Sequence, residues 1–392
     1  MRLAGWFVMV SSLAVTAVSC GFFDPLHPYD QEPVDTSVSW QRYMGGSGDE
    51  VGYSVQQTSD GGFIIVGDTS SFGAGGIDIW LVKTDASGTV QWSKTFGGSE
   101  DDHGRCVVQT PDGGYIIAGF TTAGGQSYVY QVKTDQNGDR KWDSTFSKAS
   151  VDGTAAVTCT ADGGYAIVSS TSSVTTYPVV YLVKTDGSGV ETWHQTYDEG
   201  TQTLGRFIRQ TADGGYIIAG EIANNSLDTD GYLLKTNASG QKVWSRKYGL
   251  EYPDSATGVE LTTDGYVLSG FTRSYGRGDF NAWLIRTDSQ GNEQWDKTFG
   301  LDAYDRAEHV QTTPDGGFIL AGMTKSYGGW EQAWLIKTDS TGALQWHKTF
   351  GGSGVDWAYC AALTADGGYV ATGFTESFGA GGKDAYLIYY RP

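Results

Sequence analysis

Basic residues are scarce in this chain of 392: 26 Lys and Arg stand against 45 Asp and Glu, a net charge of −19. A surface this acidic repels a phosphate backbone and no basic stripe interrupts it, so a nucleic-acid partner is excluded. Proline, methionine and cysteine number only 8, 4 and 4. The metalloprotease, nucleophile-elbow, paired-cysteine, phosphate-loop and EF-hand motifs are all missing, which removes the usual sequence anchors for catalysis. His27, His103, His194, His309 and His347 are scattered and form no close ligand pair. Neither a metal nor a cofactor is expected.

Glycine and aromatics are abundant instead: 57 Gly, 23 Tyr and 13 Trp. That balance favours many short strands joined by tight turns over packed helices, and the class is all-β. The first nineteen residues differ from the rest. Arg2 precedes an apolar run from Leu3 to Val18 and then small residues, which is the layout of a secretory signal and too short for a comfortable membrane span of about 20 residues. Residues 1–19 are read as a signal peptide. The ending "AVSC" resembles the lipobox of bacterial lipoproteins, which implies that Cys20 is lipidated and becomes the mature N-terminus. The alternative is an ordinary cleaved signal with an incidental cysteine. Residues 21 to 36 hold three prolines and no periodicity, so 20–36 reads as a lipid-anchored tether. The expected location is extracytoplasmic, in the periplasm or on the cell surface, with the membrane reached only through the lipid.

Seven tryptophans, Trp40, Trp92, Trp142, Trp193, Trp244, Trp295 and Trp346, are spaced 52, 50, 51, 51, 51 and 51 residues apart. Each interval carries four strand-like segments, here lettered a to d. Segment a ends in a threonine and an Asp-Gly-Gly turn follows, as at Thr211 to Gly215, where glycine supplies the positive φ of a tight hairpin. Segment b opens on an aromatic, as in "YIIAG". Segment c reads "WLVK" or "WLIK", apolar without alternation, so it is covered on both faces. Segment d carries the tryptophan. A four-stranded sheet covered on both sides by copies of itself is a propeller blade, and a period near 50 lies in the propeller range.

The seventh copy ends at "AYLIYY" without a fourth strand, whereas "SVSWQRYMGG" at 37–46 is a fourth strand with no blade before it. The prediction is a seven-bladed β-propeller over 37–392, four antiparallel strands per blade, whose N-terminal strand closes the last blade and leaves no sheet edge open. Cys106 and Cys360 fall at equivalent places in different repeats and Cys159 lies three positions further along its own. Such sites are further apart than the roughly 7 Å a disulfide allows, so buried free thiols are expected.

The unit as a whole resembles the Asp-Gly-Gly-Tyr repeats of exported bacterial and archaeal proteins, and the resemblance covers 37–392. "TDASGTVQW" and "TDSTGALQW" are also similar to the tryptophan-docking repeat of quinoprotein propellers and of the lipoprotein propeller in the outer-membrane barrel-assembly machine. Those families usually have eight blades and shorter repeats. Their quinone-dependent members commonly carry adjacent cysteines beside the cofactor; this chain has none, and the resemblance brings no cofactor with it.

Two polar positions recur. Glu50, Asp102, Asp152, Asp254, Asp305 and Asp356 begin segment a, and with that strand innermost they are expected to ring one mouth of the channel, as a cation or acid/base site or as a turn cap in each blade. Neighbours on the order of 10 Å apart in water repel by only about 0.4 kcal/mol, so the ring needs no metal. Lys83, Lys133, Lys184, Lys235, Arg286 and Lys337 recur in segment c and are expected to be solvated beside the turn carboxylates, at most about 1 kcal/mol per pair.

Function is sought in what does not repeat. Seven tryptophans mark the repeat, three open segment c and Trp6 belongs to the signal, which leaves Trp330 and Trp357. The same face collects Arg273, Tyr275 and Arg277 from blade 5 and Arg306 and Tyr327 from blade 6. With Asp305 and Asp356 these are the expected ligand-binding residues, the two tryptophans forming a stacking floor. The expected function is a non-catalytic, monomeric binding or scaffold module for a glycan or protein. The alternative is a polysaccharide-active hydrolase or lyase using two ring carboxylates with Arg306.

Overall fold

The computed structural model describes residues 38–148, 154–172, 175, 177–225 and 228–392; the signal, Cys20 and the tether lie outside them. The described residues form 28 strands in seven antiparallel sheets of four. Six sheets are built from consecutive strands. The seventh joins the last three strands to the first, Val38–Met44, which pairs along Asp384–Arg391 from Val38 opposite Arg391 to Met44 opposite Ala385. The fold is the seven-bladed propeller that the tryptophan spacing predicts, closed by its N-terminal strand.

Strands b and c lie between neighbouring blades. In blade 1, Phe63–Thr69 and Asp78–Thr84 are buried at every position, which is what their unalternating apolar letters require. Strand d forms the outer rim, and Val90–Phe96 is accordingly exposed at Val90, Gln91 and Ser93 and fully buried only at Phe96. Its tryptophan points to the next blade. Trp92 lies 6.0 Å from Tyr115, Trp193 6.0 Å from Tyr216 and Trp346 5.5 Å from Tyr369. Trp40 lies 6.0 Å from Phe63, so the seam between last and first blade repeats the geometry of the other junctions.

The same indoles dictate the glycine of "TDxxGxxxW". A Cβ on Gly88 or Gly138 would fall 2.5 or 2.6 Å from the ring of Trp40 or Trp92, and φ there is 77° and 78°. Only glycine meets both demands.

In the Asp-Gly-Gly turn, Asp213 accepts from Thr211 Oγ1 at 2.5 Å, Gly215 N at 3.0 Å and Lys235 Nζ at 2.9 Å. The lysines are not solvated as expected. Lys83, Lys133, Lys184, Lys235 and Lys337 are 3–5 % exposed, each also donating to the carbonyl of the following threonine. Their aliphatic stems pack between blades and only the ammonium needs a polar partner. Burial opposes ionisation of Asp60 and Asp213, but the threonine hydroxyl, the lysine and the glycine N–H outweigh it and hold both carboxyls at about 2. Blade 5 is one glycine short in this turn, "TTDGY" at 262–266. Arg286 replaces the lysine there, and its longer reach joins Asp264 and, at 3.0 Å, the carbonyl of Tyr266.

Cys106, Cys159 and Cys360 are free. The first and last are buried, whereas Cys159, at the end of its strand, is only half-buried.

Candidate functional site

The innermost strands of all seven blades line the central channel, and six of them share one irregularity. Thr203–Gln210 pairs Gly205 with Gly220 and then Phe207 with Ala219, leaving Arg206 with no residue opposite. Tyr53, Arg105, Thr257, Glu308 and Tyr359 are the extra residues of the equivalent strands. A bulge of this kind bends the strand and re-aims a side chain. All six bulged residues line a single cavity, with Thr154, Ala155 and Ala156 as its seventh side.

The bulge explains the closing glycine of "YIIAG". A Cβ on Gly67, Gly119, Gly220, Gly270, Gly322 or Gly373 would fall 1.7–1.9 Å from the carbonyl oxygen of the inner-strand residue just before its paired partner. Blade 3 carries Ser169 at this place, and its inner strand begins pairing only at Ala156.

The cavity has a volume of about 140 Å³, below the roughly 300–1,000 Å³ of pockets that enclose a drug-sized molecule. A smaller ligand, or the end of a larger one, fits. Ser54, Cys106, Phe207, His309 and Cys360 border both this cavity and a second chamber of about 230 Å³ further along the channel. They form its waist. His309 is buried there, 5.2 Å from Phe207. Burial, assisted by the charge of Arg209, pushes its imidazole down to about 3, so the ring is neutral at physiological pH. Its Nδ1 has no hydrogen-bond partner among the described residues.

Each arginine of the mouth is matched by a carboxylate. Arg105 Nη1 lies 3.0 Å from both carboxylate oxygens of Asp68, which also accepts from Gly104 N at 2.9 Å and lies 2.7 Å from His103 Nδ1. Arg206 meets Glu221 at 2.8 and 2.7 Å. Arg306 Nε is 2.6 Å from Glu308, and its Nη1 donates to Tyr304 Oη at 3.1 Å. Aromatic faces fill the spaces between them. Arg105 lies 4.2 Å over Tyr53 and Arg306 4.1 Å over Phe271; Tyr53 and Tyr359 are 5.0 Å apart. Trp357 packs on Tyr359 at 5.7 Å and Phe374 at 6.1 Å, and its Nε1 donates to Glu331 at 2.9 Å. Burial pushes the Tyr53 hydroxyl up, against the pull of Arg105.

Several expected site residues are placed elsewhere. Asp305 and Asp356 are 0 % exposed and cap turns. Asp305 accepts from Ser326 Oγ at 2.5 Å, Lys325 N at 3.1 Å and Leu301 N at 3.2 Å; Asp356 accepts from Ser377 Oγ at 2.6 Å and Gly352 N at 3.0 Å. Each ties the d-to-a turn to the b-to-c turn of its blade, because the strand start folds beneath both loops. The open carboxylate pair that the hydrolase alternative requires is therefore shut away from the channel at these positions, and burial raises the Asp305 carboxyl. Asp152 lies outside the described residues.

Trp330 and Trp357 differ in their surroundings. Trp330 is 56 % exposed on the b-to-c loop of blade 6, and it is the adjacent Glu331 that reaches Trp357. Tyr275 and Tyr327 pack on Trp283 and Trp334 at 5.5 and 5.6 Å, as Phe72 and Phe378 pack on Trp80 and Tyr386. These are scaffold contacts, legible in the recurring "SFG" and "SYG" after strand b. Arg273 and Arg277 are exposed loop residues, the former 3.9 Å from Asp279. Of the expected set, Arg306 and Trp357 reach the rim of the channel.

Sequence reasoning missed the bulge residues. Their signal is one position in strand a, 53, 105, 155, 206, 257, 308 and 359, which keeps the tryptophan spacing yet reads Tyr, Arg, Ala, Arg, Thr, Glu, Tyr.

No known family model and no curated protein matches the chain. Solved structures are similar in shape. Sqt1 from Chaetomium thermophilum, bound to the N-terminus of the ribosomal protein L10, is 13% identical over 88% of this chain and 98% of its own, with a TM-score of 0.50. BBS1N in complex with ARL6DN is 11% identical over 89% and 95%, TM-score 0.51. Puromycin hydrolase is 12% identical over 85% of this chain and 51% of its own, TM-score 0.51. At these identities the likeness is one of fold.

Proposed function

We propose that this protein is an exported, lipid-anchored binding module that holds its partner, a glycan or a protein, at the bulge-lined mouth of the propeller channel. One observation carries the reading. The inner-strand positions that line the cavity, the bulge residue and the one after it, are positions at which the repeat keeps no residue type of its own. A purely structural repeat has no reason to vary there, whereas a recognition surface needs unlike side chains brought together on a rigid frame.

The Sqt1 and BBS1N propellers, similar in fold, are each bound to a protein partner, which supports a binding role. "AVSC" supports anchoring at Cys20, and a tether over 20–36 reaches at most about 60 Å when extended, enough to let the mouth meet partners beyond the bilayer surface.

Two experiments test the reading. Labelling with an alkyne fatty acid is expected to mark the wild type and leave Cys20→Ser unlabelled and released from the membrane; an unlabelled wild type retained in the membrane overturns the lipid anchor. A photo-cross-linking phenylalanine in place of Tyr359 is expected to capture the partner and one in place of Trp330 to capture none. The reverse outcome moves the site to the exposed loop.

A further inference from the structure

Resting on the mouth as the binding site, we infer that its ligand is an uncharged sugar unit, either a free saccharide or the end of a glycan. The charges are already matched: Arg105, Arg206 and Arg306 stand against Asp68, Glu221 and Glu308 at 2.6–3.0 Å. Glu331 on Trp357 and Lys383, 4.5 Å over Phe374, add one charge of each sign. An anionic ligand would have to compete with a resident carboxylate for every guanidinium, and a cationic one with a resident arginine for every carboxylate. Breaking such partly buried pairs leaves an unpaired charge, which is strongly unfavourable.

A hydroxyl faces no such competition. Each carboxylate has about four lone-pair sites and each guanidinium five N–H groups, so the pairs fix one another in place and still present donors beside acceptors. A sugar hydroxyl uses both at once. The aromatic walls of Tyr53 and Tyr359 suit the apolar C–H faces of a pyranose ring, which an ordinary polar ion lacks. At the floor, in the waist that borders the cavity, His309 Nδ1 is buried without a partner among the described residues. Whichever tautomer the ring adopts, a hydroxyl satisfies that nitrogen, because it both donates and accepts; a carboxylate can only accept and an ammonium can only donate. The cavity of about 140 Å³ limits what enters to one small unit.

The test is calorimetric titration of the Cys20→Ser chain with neutral hexoses, N-acetylhexosamines, their short oligomers and the matching uronic acids, at low and high salt. A neutral sugar is expected to bind with a Kd that changes less than about twofold with salt, since no net ligand charge is there to be screened. Tyr359→Ala and Glu308→Gln are expected to weaken it by about tenfold or more, as truncation of a central contact does, and Trp330→Ala by less than about twofold. Unchanged melting temperatures verify that the variants fold. Tighter binding by oligomers than by single units identifies a glycan end as the source; equal binding identifies a free saccharide.

Binding of the uronic acids alone, weakening steeply with salt, overturns the inference. So does the absence of any neutral-sugar heat up to about 10 mM. Occupation of the mouth by a peptide instead, lost in Tyr359→Ala, overturns the sugar and leaves the mouth standing. A sugar bound equally well by both folded mouth variants overturns the mouth itself.

Discussion

Gly220→Ala isolates the link between the repeat motif and the cavity. A Cβ at this position would lie 1.8 Å from the Leu204 carbonyl oxygen and 2.9 Å from its carbon. Ordinary contact begins at 3.4 Å, so the two strands must part locally by about 1.6 Å, the difference of the two distances. Neighbouring strands stand about 4.7–4.9 Å apart, and hydrogen bonds do not survive an opening of that size. Overpacking of about 1–3 kcal/mol, plus one or two ladder hydrogen bonds at about 1 kcal/mol each, gives a loss of about 2–5 kcal/mol. Scanning calorimetry should read this as a fall in Tm on the order of 5–10 °C, given about 2–4 °C per kcal/mol in domains of 150–250 residues and less in larger ones. Ser169→Ala is the matched control. Blade 3 already tolerates a Cβ there, and the substitution removes only the Ser169 Oγ bond to the Thr154 carbonyl, 2.8 Å long, at about 1 kcal/mol. The strand opening should also displace Arg206 from Glu221 and weaken ligand binding. A Gly220→Ala protein that melts within about 1 °C of wild type, or a Ser169→Ala protein that is equally damaged, refutes the bulge argument.

Two further outcomes follow from the closure and the waist. Deleting residues 37–46 removes the strand paired along Asp384–Arg391 and the Trp40 contacts with Phe63 and Tyr389; stability should fall by several kcal/mol, on the scale of about 25 cal/mol per Å² of apolar surface exposed, and unchanged urea unfolding would show that the ring does not depend on its seam. The His309 imidazole titrates at about 3 when folded against an ordinary 6.5, so the unfolded chain takes up the proton first. Its contribution is complete above about pH 6.5 and drains away as pH falls toward about 3. His309→Phe should flatten that part of the stability profile, and parallel wild-type and variant profiles across the window would mean that the imidazole is not held neutral in the waist.

The amino-acid sequence alone determined the ring: seven tryptophans at a period near 51, a strand-c pattern apolar on both faces, and a fourth strand stranded at the N-terminus. These are local or periodic properties, and a blade repeated seven times announces them seven times. The turn glycines were equally legible, since positive φ is a demand of the hairpin itself. The same letters were silent about direction. Trp330 and Trp357 look alike in the sequence, yet one stands in solvent and the other packs at the channel rim, 5.7 Å from Tyr359. Asp305 and Asp356 looked like a ring open to the channel and instead lie beneath two loops. The repeated lysines looked solvated and are buried between blades. Above all, the bulge that turns Arg206 and its counterparts inward is marked in its own strand only by a small residue before it, Gly205 or an equivalent Gly or Ala; its clearer trace is a glycine in the neighbouring strand, at Gly220 and its equivalents, whose Cβ would strike a carbonyl fifteen or sixteen residues away. Strand pairing fixes which atoms meet across that distance, and only the assembled sheet, with seven inner strands drawn around one axis, decides which side chains share a cavity.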